Sequence, residues 1–201
     1  MRLADFTTLT FDCYGTLIDW EAGLLAVLKP WATRNGLDAG DNALLEAFGR
    51  HEHRVQGDNP GMLYPDILRA VQRGVAADYG AAASQADADA LATSVADWPA
   101  FPDSAEALAY LKQHFKLVIL SNIDRASFAH SNARLGVAFD AVFTAQDIGS
   151  YKPDLANFSY MLDHLAEIGV AKGDILHTAQ SLYHDAAPAK ELGLATAWIN
   201  R

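Results

Sequence analysis

Leu9-Thr10-Phe11-Asp12-Cys13-Tyr14-Gly15-Thr16-Leu17-Ile18-Asp19 reads as a strand that hands a carboxylate to a turn. Residues 7–11 are β-rich and mostly apolar, the pattern of a short buried strand. Asp12 stands at its C-terminal end, and Gly15 allows a turn that bulkier residues resist. Ligands of open α/β sheets bind at that edge. Alone, an Asp in this setting serves as a loop cap as readily as a nucleophile or metal ligand. The rest of the chain decides among them.

Downstream of Ile18 the pattern turns helical. Residues 20–34 carry Leu24, Leu25, Val27, Leu28 and Trp31 at helical spacing, and Gly36 closes the run. Residues 42–54 and 63–79 predict two further helices around the turn-rich Gly57-Asp58-Asn59-Pro60-Gly61, and Ser84 opens a fourth that runs to about residue 96. No strand pattern interrupts residues 18–98, which predict an all-helical unit. From Pro102 the pattern alternates. A helix over 103–114, with Asp103 and Glu106 as a variant capping box, precedes the continuous apolar run Leu117-Val118-Ile119-Leu120 of a strand buried on both faces. A helix over 125–135, a strand over 141–144, a helix with Pro153 in its first turn, a strand over 174–178, a helix over 186–192 and a strand over 195–199 follow. This is the signature of an α/β fold, a doubly wound parallel sheet with an inserted all-helical cap. The core takes residues 1–17 and 99–201 and the cap 18–98.

Composition sets the frame. The 201 residues are enough for a sizeable core. With 15 Lys and Arg against 25 Asp and Glu the net charge is −10, which argues against nucleic acid as a partner. An anionic substrate then needs local donors. No apolar run approaches the roughly 18 residues of a membrane span, and Met1-Arg2-Leu3-Ala4-Asp5 has no leader-like apolar region. The single cysteine, Cys13, excludes an internal disulfide and fits a reducing cytoplasm.

Each later strand ends on polar residues: Ser121-Asn122, Tyr151-Lys152-Pro153 and His184-Asp185. An Asp near the start, then Ser, then Lys-Pro, then Asp, in that order, resembles the haloacid dehalogenase superfamily along essentially the whole chain. Phosphatase members of that superfamily carry a second Asp two residues after the nucleophile. Tyr14 stands there here, and a phenol of pKa about 10 is neither a ready acid nor a metal ligand at neutral pH. Asp12-Cys13-Tyr14-Gly15-Thr16-Leu17 instead resembles the metal-independent type II (S)-2-haloacid dehalogenases. Residues 11–21 and Gln180-Ser181-Leu182-Tyr183-His184-Asp185 are similar to a side branch that includes L-azetidine-2-carboxylate hydrolase.

The resemblance implies a hydrolase that displaces a leaving group from the α-carbon of a small anionic carboxylic acid. Asp12 would attack and become an ester, and water would then free a 2-hydroxy acid. Lys152 would hold Asp12 ionised, Asp185 would position Lys152 or activate the water, and Thr16 would hydrogen-bond near Asp12. Tyr14, Ser121, Asn122, Trp20, His184 and a cap arginine, Arg50 ahead of Arg54 and Arg69, are the expected substrate contacts. No metal or cofactor is implied, and the resemblance admits a homodimer. Three departures bear on the leaving group, one being Gln180-Ser181-Leu182-Tyr183-His184 where those dehalogenases carry Ser and Asn shortly before the last Asp. The cap arginine has no secure counterpart, and Phe158 stands where those dehalogenases carry a tyrosine. Ring opening of a cyclic amine and Mg-dependent hydrolysis of a phosphorylated metabolite are the alternative reactions.

Overall fold

The computed structural model describes residues 2–201; Met1 lies outside them. Five strands form one parallel sheet: β1 Thr8–Phe11, β2 Lys116–Ser121, β3 Ala141–Thr144, β4 Ile175–Ala179 and β5 Ala195–Trp198. Their order is β3-β2-β1-β4-β5, so β1 is central and the chain reverses its direction of winding across it. Such a switch point opens a crevice at the C-terminal edge, and Asp12 sits there.

Burial follows the strand alternation. On β2, Leu117 and Ile119 join the larger apolar cluster, while Val118 and Leu120 pack with Phe158, Met161 and Leu165 on the opposite face. Successive side chains of a strand point to opposite faces, so an unbroken apolar run means two covered faces. Phe158 is fully buried and meets the His177 ring edge-on, with centroids 5.2 Å apart. Burial of such a side chain contributes about 1.5–3 kcal/mol.

Four helices make up the block inserted after β1: α1 Trp20–Arg34, α2 Asp41–Asp58, α3 Tyr64–Asp78 and α4 Gln85–Thr93. Asp19 caps α1 by accepting from the Ala22 amide (3.0 Å), and Ser84 and Asp87 form a reciprocal capping box on α4. The segments that enter and leave this block are tied together. The Asp19 amide donates to Pro99 O (2.8 Å), the Phe101 amide to Leu17 O (3.0 Å) and Ser104 Oγ to the same Leu17 oxygen (2.8 Å). The remaining helices, α5 Ser104–Leu111, α6 Arg125–Leu135, α7 Ala145–Ile148, α8 Leu155–Glu167 and α9 Ala187–Glu191, flank the sheet.

Several sequence expectations shift at this level. α2 runs one turn past residue 54, to Asp58, because the turn signals after it act only from Asn59. Asp103 makes no side-chain cap on α5; its carboxylate pairs with Arg201 instead (2.8 Å). Pro153 lies ahead of α8, which begins behind its N-cap Asp154. The short α7, opened by a capping box of Thr144 and Asp147, has too few residues for periodicity to reveal it. The helix expected from residue 186 is preceded by a single π-turn, Leu182–Ala186, that carries Asp185.

Candidate active site

Three strand ends converge on one buried ammonium. Asp12 leaves β1 with its amide donating to Thr178 O on β4 (3.1 Å). Gly15, at φ +92°, then turns the chain back, and a Cβ there would lie 3.1 Å from the Trp20 indole nitrogen. Both conditions call for glycine. The turn brings Thr16 under Asp12. Thr16 Oγ1 donates to Asp12 Oδ2 (2.8 Å) and accepts from the Gln180 amide (3.0 Å).

Lys152 is only 2% exposed. Its Nζ donates to Asp12 Oδ1 (2.9 Å), Leu120 O (3.0 Å) and Asp185 Oδ1 (2.5 Å), so all three of its donors are used. Asn122 fixes the lysine backbone: its Nδ2 donates to Lys152 O (2.9 Å) and its Oδ1 accepts from the Lys152 amide (2.6 Å). Both ends of the amide expected to meet substrate are thereby committed. Asp185 Oδ1 also accepts from His177 Nε2 (3.0 Å), and Thr10 Oγ1 donates to the other ring nitrogen (2.8 Å). The carboxylate partner assigns the proton to Nε2. His177 escaped the sequence reading; its one signal was an imidazole inside the otherwise strand-like Ile175–Ala179.

The shared ammonium treats its two carboxylates unequally. Burial pushes Asp185 upward, but Lys152 and then the His177 hydrogen bond outweigh it, and its pKa falls below the usual carboxylate range. At Asp12 burial dominates, Lys152 opposes it and Asp185 adds to it, so the pKa rises. Lys152, by charge and by hydrogen bond, favours the ionised form of Asp12 against the burial that raises its pKa. The same two carboxylates raise Lys152 against its own burial.

Asp12 opens onto a cavity of about 200 Å³ between the sheet edge and the helical block. Its floor carries Ser121, Asn122, Lys152, Gln180, Ser181, His184 and Asp185; Trp20, Glu52, Gln56 and Tyr64 roof it, with Tyr14 and Trp98 at the side. Ser121 Oγ and Asp185 Oδ2 are buried without a protein partner. Tyr14 hydrogen-bonds Ser131 Oγ (2.9 Å) and packs edge-on to Trp98. Burial, then the Lys152 charge, brings His184 down to about 4, so it faces the cavity neutral near pH 7. Cys13 is fully buried and its thiol is pushed up by burial, which fits a packing residue.

Arg50 does not reach the cavity. It pairs with Asp78 (2.6 Å) on the outer side of the helical block, where Asp78 also accepts from His51 (2.7 Å). Arg54 donates to His51 Nδ1 (3.1 Å), and Arg69 is held by Asp66 and Asp89. Each of the three has an acidic or imidazole partner within its own helical block, which explains why none turns inward. The roof presents a carboxyl instead. Glu52 accepts from Tyr64 Oη (2.7 Å), and burial lifts its pKa to about 7.

The donor set does not suit a divalent cation. The Lys152 ammonium fills the space between Asp12 and Asp185, and Tyr14 offers a phenol engaged with Ser131. Among the described residues no group of three or more His, Cys, Asp or Glu is arranged around a common metal position. No helix among them is long and apolar enough to cross a membrane.

The family model for haloacid dehalogenase-like hydrolases matches residues 6–193. The chain belongs to that family. This haloacid dehalogenase-like hydrolase is similar to the (S)-2-haloacid dehalogenase of Pseudomonas sp. (strain YL), 33% identical over 197 residues that cover 96% of this chain and 82% of that one. It is 32% identical over 106 residues to the (S)-2-haloacid dehalogenase of Pseudomonas putida, a match covering 50% of this chain and 44% of the relative, under half of that protein's length. Among solved structures, the L-2-haloacid dehalogenase of Xanthobacter autotrophicus with chloropropionic acid covalently bound superposes with a TM-score of 0.80 at 19% identity, covering 98% of this chain and 78% of that one. At that identity the likeness is one of fold.

Proposed function

We propose that this haloacid dehalogenase-like hydrolase displaces a leaving group from the α-carbon of a small 2-substituted carboxylic acid through an ester on Asp12, as an (S)-2-haloacid dehalogenase does. One observation carries the reading: a buried carboxylate whose oxygens are held by Lys152 and Thr16 opens onto a cavity sized for a few heavy atoms. Such an anchored nucleophile facing a bound α-carbon gains from proximity and from the exclusion of water. Phosphoryl transfer is disfavoured by Tyr14, a phenol bonded to Ser131, in the position of the phosphatases' second Asp.

In the first step a lone pair of Asp12 forms the C–O bond while the C–X bond breaks and X leaves with its electron pair. Ser121, a lining residue whose Oγ has no protein partner, receives the substrate carboxylate, and Trp20 and Tyr14 shape the apolar walls. Asn122 acts by holding the Lys152 backbone. In the second step water attacks the ester carbon of Asp12. The carbonyl oxygen left there keeps a donor, either Lys152 or Thr16, as negative charge develops on it. Asp185 Oδ2 has no other partner and aims the water; its lowered pKa makes it a weak base, so its larger task is to fix Lys152. The product is a 2-hydroxy acid of inverted configuration. The helical block serves as a cap over residues 18–98, and all residues invoked come from a single chain, so a homodimer would leave the site unchanged. A cytoplasmic setting suits a chain whose one cysteine is buried and unpaired.

Single-turnover hydrolysis of (S)-2-chloropropionate in ¹⁸O-water with EDTA present tests the reading. Peptide mass spectrometry should find the label in Asp12. Absence of label, or turnover of a phosphomonoester only with added Mg²⁺, would overturn it.

A further inference from the structure

In-line displacement fixes where the leaving atom goes. Asp12 attacks from the sheet edge, so the departing atom moves away from it, toward the roof supplied by the helical block. Within a cavity of about 200 Å³ a substrate joined to the floor reaches that roof. A leaving halide needs hydrogen-bond donors there, yet no arginine lines this cavity and Lys152 has spent its three donors on Asp12, Leu120 and Asp185. Beside the neutral Gln56 amide and Trp20 indole, the roof holds one carboxyl group, Glu52, one turn before Gln56 on the same face of α2.

We propose that Glu52, in its acid form, is a catalytic residue of this site that donates a hydrogen bond to the atom leaving the substrate α-carbon. The inference rests on the Asp12-ester reading above. Tyr64 Oη donates to Glu52 Oε1 (2.7 Å), which leaves the other oxygen to carry the proton into the cavity. Burial keeps that proton on up to about pH 7. As the C–X bond breaks and X takes its electron pair, the Glu52 proton hydrogen-bonds X and passes to it when X is basic enough. Glu52 then recovers a proton from solvent. The groups around Glu52 are compatible with this. Tyr64 and Tyr151 have pKa values raised by burial and stay neutral, His184 is neutral near pH 7, and the Lys152 charge is taken up by Asp12 and Asp185. Gln56 adds an uncharged amide at the same wall.

The test measures kcat for (S)-2-fluoro-, 2-chloro- and 2-bromopropionate from pH 5.5 to 9 in wild type, Glu52→Gln and Glu52→Ala, with the ¹⁸O label on Asp12 followed in each. Wild-type kcat should fall as pH rises past about 7, approaching tenfold per pH unit. Glu52→Gln keeps a donor that does not titrate, so the alkaline fall should vanish while kcat at pH 6 stays within about tenfold of wild type. Glu52→Ala should lose roughly 10²-fold, most for fluoride and least for bromide, because the stronger base depends more on the donor. If Glu52→Ala slows all three halides equally, or the alkaline fall survives in Glu52→Gln, the proposal fails while labelled Asp12 still upholds the ester reading. Unlabelled Asp12 in an active enzyme would sink the ester reading itself.

Discussion

His184 and Glu52 face the same small cavity, and each holds an unusual protonation state for the same physical reason. Burial raises the energy of the charged form, which lowers the pKa of a base and raises that of an acid. His184 goes from 6.5 in the unfolded chain to about 4 in the fold, and Glu52 from 4.5 to about 7. Their effects on stability are opposite in sign. For His184 the unfolded chain binds the extra proton, so stability is lost as pH falls from 6.5 toward 4. For Glu52 the folded chain binds it, so stability is lost as pH rises from 4.5 toward 7. Each is worth up to about 3 kcal/mol over its window, and between pH 4.5 and 6.5 the two nearly cancel. Urea denaturation at pH 5 and pH 6.5 checks this. His184→Asn should leave a protein less stable at pH 6.5 than at pH 5, and Glu52→Gln one that is more stable at pH 6.5. Slopes of the same sign in both variants would refute the pairing.

Among the elements, α1 depends on close approach. A Cβ on Gly23 would lie 2.2 Å from Trp98 Cδ1, and Trp98 is buried with its indole N–H donated to Ser94 Oγ (3.0 Å). Alanine at an exposed helix interior gains up to about 1 kcal/mol over glycine, whereas overpacking a core costs about 1–3 kcal/mol. Gly23→Ala should therefore lower stability by about 1–2 kcal/mol. Because Trp98 also lines the cavity, KM should rise with it. Gly49→Ala on α2 is the matched control: nothing lies within 4 Å of its added methyl, and it should stabilise the chain. Calorimetric Tm values for the two variants should move in opposite directions. These glycines look alike in the sequence, where both interrupt helical runs. Only the neighbour across the helix interface distinguishes them.

For the whole molecule the decisive relation is between the helical block and the sheet. Besides the paired connecting segments, Tyr151 reaches from the loop before Lys152 to donate to Met62 O at the foot of α3 (2.7 Å). This bond joins the residue next to Lys152 to the segment that leads into α3. Tyr151→Phe removes one buried hydrogen bond, worth about 1 kcal/mol, and should lower kcat/KM for (S)-2-chloropropionate roughly fivefold. The urea midpoint should fall by no more than that roughly 1 kcal/mol implies, since Tyr151 stays packed in the larger apolar cluster. Steady-state kinetics and urea denaturation on one preparation separate the two effects. An unchanged kcat/KM would mean that closure of the roof does not depend on this contact.

The sequence by itself determined the alternation of strands and helices, the place of the helical insertion and the order of the four polar strand ends. These follow from local periodicity and turn chemistry, which neighbours in the chain set directly. Asp12, Thr16, Ser121, Lys152 and Asp185 were singled out through the resemblance that those strand ends carry, not through periodicity. Tertiary structure decided what the chain cannot encode locally. The partners of Arg50, Arg54 and Arg69 lie on other helices or other turns, and those partners keep the arginines out of the cavity. Asn122, read as a substrate contact, lines the cavity, and its amide also ties down the Lys152 backbone 30 residues away. His177 and Glu52 carried no motif at all; each matters because the fold buries it beside a particular partner, Asp185 in one case and Tyr64 in the other. Charge in a protein interior is set by what surrounds a group in space, and that is fixed only when the sheet edge and the helical block meet.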